Sequence, residues 1–244
     1  MSLAGRKKLI RTWHRRLGPI IGIQLFLWSL GGLYFSWVRM AEVRGEAEIA
    51  CLEPENLKYE NFLALIPEII RNSDLPTVRE IRLGKLLNVP VYRFIMDDQR
   101  AETYDAITGD RISPINRTTA IKVARHDFLP DAELRSVHRI KEHSGKYQGP
   151  IPAWCVTFEH WKAPAIYISV HTGEVTARRN VLWRVYDFLW RLHILDFDTG
   201  QDFNNWLIRL MSLLGLATIG SGYYLWYLTS LPTGTKRKKT GRKH

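Results

Sequence analysis

The sequence predicts an α+β protein in which two tandem α+β repeats lie between two transmembrane α-helices. Three observations carry that prediction. There are two long apolar runs, one near each end; basic clusters lie outside both runs; and a central stretch restates its own pattern about 62 residues later.

The chain has 244 residues, enough for one medium domain with attachments or for two small domains. An apolar content of 45% is that of a folded protein. The formal charge of +11 first suggests nucleic acid, but its placement argues otherwise. Arg6, Lys7, Lys8, Arg11, Arg15 and Arg16 all precede residue 18, and Lys236, Arg237, Lys238, Lys239, Arg242 and Lys243 all follow Pro232. What lies between is close to neutral. Two basic tails, residues 1–17 and 229–244, suit anionic lipid at a membrane surface rather than a nucleic-acid groove.

The first apolar run, GPIIGIQLFLWSLGGLYFSWV, covers residues 18–38 without a charge. At ~1.5 Å per residue such a helix spans ~30 Å, the thickness of the hydrocarbon core. It is too long for a signal-peptide core, and no small-x-small cleavage site follows it directly, so it reads as a retained anchor. The second run, residues 206–228, holds one charge, Arg209, near enough to its end to snorkel outward. Two buried helices of a soluble protein would share the apolar content. Length, charge-free cores and basic flanks together favour the membrane. The flanking charges then keep both termini cytoplasmic and place residues of about 40 to 205 across the membrane.

The stretch from Val89, VPVYRFIMDDQRAETYDAITGDRIS, matches the stretch from Ile151, IPAWCVTFEHWKAPAIYISVHTGEVT. Each opens apolar-Pro-apolar-aromatic, alternates as a strand does, and closes Thr-Gly-acidic-x-apolar. Tyr92 corresponds to Trp154, Gly109 to Gly173, and Tyr104 to Tyr167 within two positions. A helical segment precedes each half, YENFLALIPEIIR and TTAIKVARHDF. Each unit is therefore expected as a helix followed by three or four antiparallel strands, with the Thr-Gly pairs in tight turns where glycine accepts positive φ. The boundaries are 39–115 for a linker with the first repeat, 116–178 for the second, and 179–205 for an amphipathic helix and turn.

In that helix, NVLWRVYDFLWRLHIL, Arg184, Asp187 and Arg191 share one face, and Val181, Leu182, Val185, Phe188, Leu189 and Leu192 cover the opposite side. Trp183, Tyr186 and Trp190 form an aromatic flank. This is the composition of a helix lying in the headgroup plane, although its apolar side can equally pack on the central domain. Trp206, Tyr223, Tyr224 and Trp226 are expected at the membrane interfaces.

These features resemble the PepSY-associated transmembrane family. The resemblance rests on TYDAITGDRIS and IYISVHTGEVT, on RTWHRRLGPIIGIQLFLWSLGGLYFS at the first helix, and on WRVYDFLWRLHILDF before the second. It implies two PepSY-like α+β repeats in the periplasm, anchored in the bacterial inner membrane. Some PepSY modules inhibit secreted metallopeptidases. Larger members with four membrane helices are associated with iron-siderophore reduction and carry haem, whereas this chain has two such helices.

The candidate sites are few. His14 lies at the cytoplasmic start of the first helix and His193 before the second, so a bilayer thickness separates them and they cannot ligate one iron within one chain. They are candidate haem ligands in an assembly, for a b-type haem, since no Cys-x-x-Cys-His occurs. Without haem, His14 belongs to the basic cluster and His193 ends an interfacial helix. His126, His138, His143, His160 and His171 show no ligand spacing. The segment DFDTGQD, residues 196–202, has carboxylates at alternate positions but lacks the later glutamate of a calcium loop, and reads as a turn with a helix cap. Cys51 and Cys155 either pair or remain buried thiols. Small residues favour close helix packing through Gly18, Gly22, Gly32 and Ser36 on the first helix and Ala217, Ser221 and Gly222 on the second. No phosphate loop, His-Glu-x-x-His or Gly-x-Ser-x-Gly is present. The expected function is that of an anchored binding, regulatory or accessory subunit linked to metal or siderophore uptake, more a binding protein than an enzyme. Its expected partners are the lipid bilayer and an envelope protein or a second copy, with no nucleic acid. The alternative is a haem-bearing electron-transfer subunit resembling a ferric-siderophore reductase.

Overall fold

A computed structural model of the protein describes residues 3–49, 65–73, 75, 77–98 and 100–230. Cys51, the start of the first expected repeat helix and the basic tail from residue 231 lie outside the described residues. The described chain divides into two units. One combines residues up to Tyr34 with those from Leu189 onward, and the other is Phe35–Phe188.

The unit Phe35–Phe188 is an α+β body. A short helix α2 (Met40–Val43) and a 3₁₀ turn (Glu46–Glu48) lead in. After α3 (Ile66–Asn72), β1 (Val78–Leu86), β2 (Val89–Met96) and β3 (Ala101–Asp105) form an antiparallel sheet in that order. After α4 (Arg117–Asp127), β4 (Leu134–Ile140), β5 (Ala153–Phe158), β6 (Ala165–Ser169) and β7 (Val175–Arg179) form a second, also in chain order and antiparallel. Asn116 caps α4 by accepting the amide of Thr119 at 2.8 Å.

Strand alternation sorts the cores. In β5 and β6, Val156, Phe158, Ile166 and Ile168 face α4 and pack on Ala120, Val123 and Ala124. Ala153, Cys155, Ala165 and Tyr167 take the other face. Leu86 and Val91 of the first sheet enter the α4 core, so the two sheets share one interior. Tyr92, Phe94 and Tyr104 make a separate cluster against Ile69 of α3. The sheets are also joined by polar contacts. Buried Arg93 donates from Nε to Thr172 O at 3.0 Å, and Thr103 Oγ1 donates to His171 O at 2.8 Å; within its own sheet Arg93 also donates from Nη2 to Lys85 O at 2.9 Å.

One turn is built twice. Gly109 and Gly173 have φ of +77° and +69°, and their amides donate to Asp105 O and Ser169 O, each at 3.0 Å. The Asp105 carboxylate accepts the amides of Ile107 and Thr108, and Ser169 Oγ accepts those of His171 and Thr172. Tyr92 pairs with Tyr104, and Trp154 pairs with Ile168. Tyr167 thus does not take the place of Tyr104. It stands one residue earlier, and a shift of one residue sends a side chain to the opposite sheet face.

The other unit holds α1 (Leu3–Trp37) up to Tyr34, the end of α5 (Val181–Ile194) and α6 (Trp206–Ser230). The N-terminal basic segment is helical from Leu3, continuous with the apolar run. Among the described residues one helix, over Gly5–Trp37, is long and apolar enough to cross a membrane. α6 has the length, with 25 residues, but Arg209 and its tyrosines and small residues dilute its hydropathy.

Candidate functional site

The unit made of α1, the end of α5 and α6 carries the two histidines that the sequence singles out as haem-ligand candidates. On α1, Ile21, Gln24 and Gly31 are buried, and with the half-buried His14, Leu17 and Trp28 they follow steps of three and four that draw one stripe along the helix, with Gly18 and Leu27 half-buried beside it. On α6 the corresponding stripe holds Gly215, Thr218, Ser221 and Gly222. Outside the stripes lie exposed apolar side chains, Ile23, Phe26, Leu30 and Leu33 on α1 and Leu213, Leu216 and Ile219 on α6.

His14 meets α6 through its ring. Nδ1 lies 2.8 Å from Ser221 Oγ, and Ser221 Oγ donates its own proton to Thr218 O at 2.8 Å. The serine therefore accepts, the histidine proton sits on Nδ1, and in the neutral ring Nε2 keeps its lone pair. A Cβ built on Gly222 would lie 3.2 Å from His14 Cε1, so glycine makes room for the ring. Of the expected packing residues, Ser221 and Gly222 meet α1. A Cβ on Gly18, Gly22 or Gly32 meets nothing within 4 Å, and Ser36 and Ala217 are exposed. The stripe runs through Gly31 rather than Gly32, a rotation of ~100° per residue.

His193 lies one residue before the end of α5. Its carbonyl accepts from Trp28 Nε1 at 2.9 Å, and its ring lies 5.5 Å from that of Trp28 and 6.1 Å from that of Trp190, centre to centre. Trp28 follows His14 by fourteen residues, ~21 Å of helix. The two histidines mark different levels of the helix pair. Either can supply one ligand to a haem in an assembly, and together they cannot hold one iron within a chain.

The loop between α5 and α6 closes on Asp196. Its carboxylate accepts the hydroxyl of Thr199 at 2.6 Å and the amides of Asp198, Thr199, Gln201 and Asp202 at 3.0–3.2 Å. The Thr199 hydroxyl and then these amides hold its pKa well below the usual carboxylate range. Arg191 Nη1 donates to Asp198 O at 3.0 Å, and Asn205 caps α6 by accepting the amide of Ile208 at 2.9 Å. The Asp196 oxygens are thus used by the loop itself, and Asp202 Oδ1 accepts the amide of Asn204 at 2.8 Å.

The displayed face of α5 differs from the expected aromatic flank. Val181, Arg184, Val185 and Phe188 are exposed, whereas Trp183, Tyr186 and Trp190 are half-buried. Tyr186 meets Phe35 at a tilt of 49° with centres 4.7 Å apart, Trp183 lies under the Arg179 guanidinium at 4.1 Å, and Trp190 meets Phe203 edge-on at 5.9 Å. Those rings are held by protein, and Val181, Val185 and Phe188 are left exposed. Trp206, Tyr223, Tyr224 and Trp226 on α6 are exposed. The five histidines of the body form no group of three or more with Cys, Asp or Glu among the described residues. Cys155 is buried in the sheet, and burial raises its thiol pKa.

Gln24 and Trp28 were not singled out in the sequence, and the three- and four-residue spacing from His14 points to both.

A family model described as the PepSY-associated TM region matches residues 2–229. No curated protein and no solved structure matches the chain.

Proposed function

The chain belongs to the PepSY-associated TM family, and from that membership we propose that it is a membrane-anchored binding or accessory subunit of the bacterial cell envelope. In this reading α1 and α6 cross the inner membrane as a hairpin, both basic ends are cytoplasmic, and the α+β body is periplasmic. The body is a pair of PepSY-like repeats. Support for the repeat is the turn built twice around Gly109 and Gly173 and the common strand position of Tyr92 and Trp154.

One observation carries the membrane hairpin. The polar groups Gln24, Thr218, His14 and Ser221 lie on the facing stripes, and large apolar side chains point away from them. Water would favour the reverse order, and lipid favours this one. Alkaline carbonate extraction of membranes tests it. The full chain is expected to stay in the pellet, and release into the supernatant would contradict the anchor.

The metal- or siderophore-uptake setting draws its support from the larger family members associated with iron-siderophore reduction. A second reading, a haem-bearing electron-transfer subunit, is favoured by one detail, the Nδ1–H of His14 fixed by Ser221 with Nε2 left as donor, the arrangement by which a second group orients a metal-binding imidazole. A b-type haem would supply one-electron transfer, with the second ligand coming from another copy or a partner. A Soret band in the purified protein that is lost in His14→Ala would establish this reading. A colourless, folded protein would leave the binding subunit alone.

A further inference from the structure

Three little-exposed cations of the α+β body come with carboxylates. Arg93 pairs with Glu174 at 3.4 Å, Lys162 with Glu48 at 2.6 Å, and Arg178 with Asp127. Arg179 has no ion pair among the described residues, although burial pushes its pKa down and only partial compensation comes from Tyr167, Asp187 and Tyr147 at longer range. Its guanidinium is fixed by Nε donation to Lys146 O at 3.2 Å and Nη1 donation to Arg178 O at 2.9 Å, over the Trp183 ring. Such an arrangement keeps a desolvated cation in one orientation without neutralising it, a cost that an anion would remove.

Arg179 lines a cavity of about 410 Å³ on the sheet face opposite α4. Arg135, Lys146 and Arg184 line it as well, and among the described residues no aspartate or glutamate does. None of these three cations is ion-paired among the described residues. The floor between them is uncharged sheet, including Thr157 and Tyr167.

We propose that this cavity binds a phosphate group, with Arg179 as its fixed donor and Arg135, Lys146 and Arg184 around it. Several cations without a carboxylate match the charge of a phosphate better than that of a single carboxylate, and arginine forks fit its oxygens. The volume leaves space for the group to which the phosphate is attached. Two sources share this chemistry, a phosphorylated small molecule and a phospholipid headgroup. The exposed Val181, Val185 and Phe188 on the helix that contributes Arg184 suit the second source. The inference deepens the reading of the body as a binding unit by naming the chemistry of its ligand.

The experiment uses the full chain with two probes. Calorimetry with glycerol 3-phosphate, on protein in phosphatidylcholine nanodiscs, reads the free source. Native mass spectrometry of detergent-solubilised protein titrated with phosphatidylglycerol reads the headgroup source. Because the basic ends attract anionic lipid, the comparison is between wild type and variants confined to the cavity. The expected result is binding of at least one probe, weakened about tenfold or more in Arg135→Gln/Lys146→Gln and further in Arg179→Gln. The probe that responds identifies the source. Binding of neither probe, or binding unchanged in the Arg135→Gln/Lys146→Gln variant, overturns the proposal. Both residues are exposed and make no side-chain hydrogen bond among the described residues, so that variant decides even if Arg179→Gln does not fold. Carbonate extraction of the same preparations keeps failure of the cavity distinct from failure of the anchor.

Discussion

Asp196 shows how one carboxylate organises a loop. Its pKa is lowered by the Thr199 hydroxyl and the loop amides, so the charged form is the one the fold prefers. The stabilisation is complete above the ordinary carboxylate pKa of ~4 and is lost as pH falls toward the lower folded value. Asp196→Asn is expected to lower the thermal midpoint at pH 7 by a few degrees and to flatten the acid limb of stability below pH ~4. A variant with the same midpoint and the same acid limb would show that the loop does not depend on the charge. Phe94 makes the corresponding apolar case. It is fully buried, edge-on to Tyr104 at 5.4 Å. Phe94→Ala is expected to destabilise the body by about 3–5 kcal/mol, read by denaturant unfolding, and a loss under 1 kcal/mol would mean the site collapses around the gap. In the sequence Asp196 looks like one of several spaced acids. What selects it is backbone geometry, which spacing does not carry.

At the scale of elements, the helix pair contains a cost that a single substitution removes. Thr218 is 9% exposed and Gln24 8% exposed, and Thr218 Oγ1 and Gln24 Nε2 have no hydrogen-bond partner among the described residues. Thr218→Val keeps the shape and removes the buried hydroxyl, so it is expected to stabilise the detergent-solubilised protein by about 1 kcal/mol. His14→Ala, which deletes the Ser221 contact, is expected to cost about 0.6 kcal/mol, typical for a hydrogen bond between membrane helices. A stabilising His14→Ala or a destabilising Thr218→Val would contradict the described stripe. The elements themselves were legible from sequence. The 181–193 helix, the strands and the Thr-Gly turns follow from periodicity and turn chemistry. The face each helix turns inward was less legible. Glycine spacing pointed to Gly18, Gly22 and Gly32, while packing chose the stripe through His14, Gln24 and Gly31, because an apolar helix gives lipid-facing and buried positions the same composition.

For the whole molecule, the charge distribution and the family agree on a membrane-anchored protein with an α+β body. The basic cavity was hidden in the sequence for a physical reason. Arg135, Lys146, Arg179 and Arg184 come from β4, the segment before β5, the end of β7 and α5, and the body as a whole is nearly neutral. Only the sheet brings them to one face. The central claim is that this body stands across the membrane from both termini. Reporter fusions test it most directly, with alkaline phosphatase, active only outside the cytoplasm, joined after Gly145 in an exposed loop of the body or after His244. The fusion at Gly145 is expected to be active and the fusion at His244 inactive. Activity at His244, or none at Gly145, would contradict the hairpin.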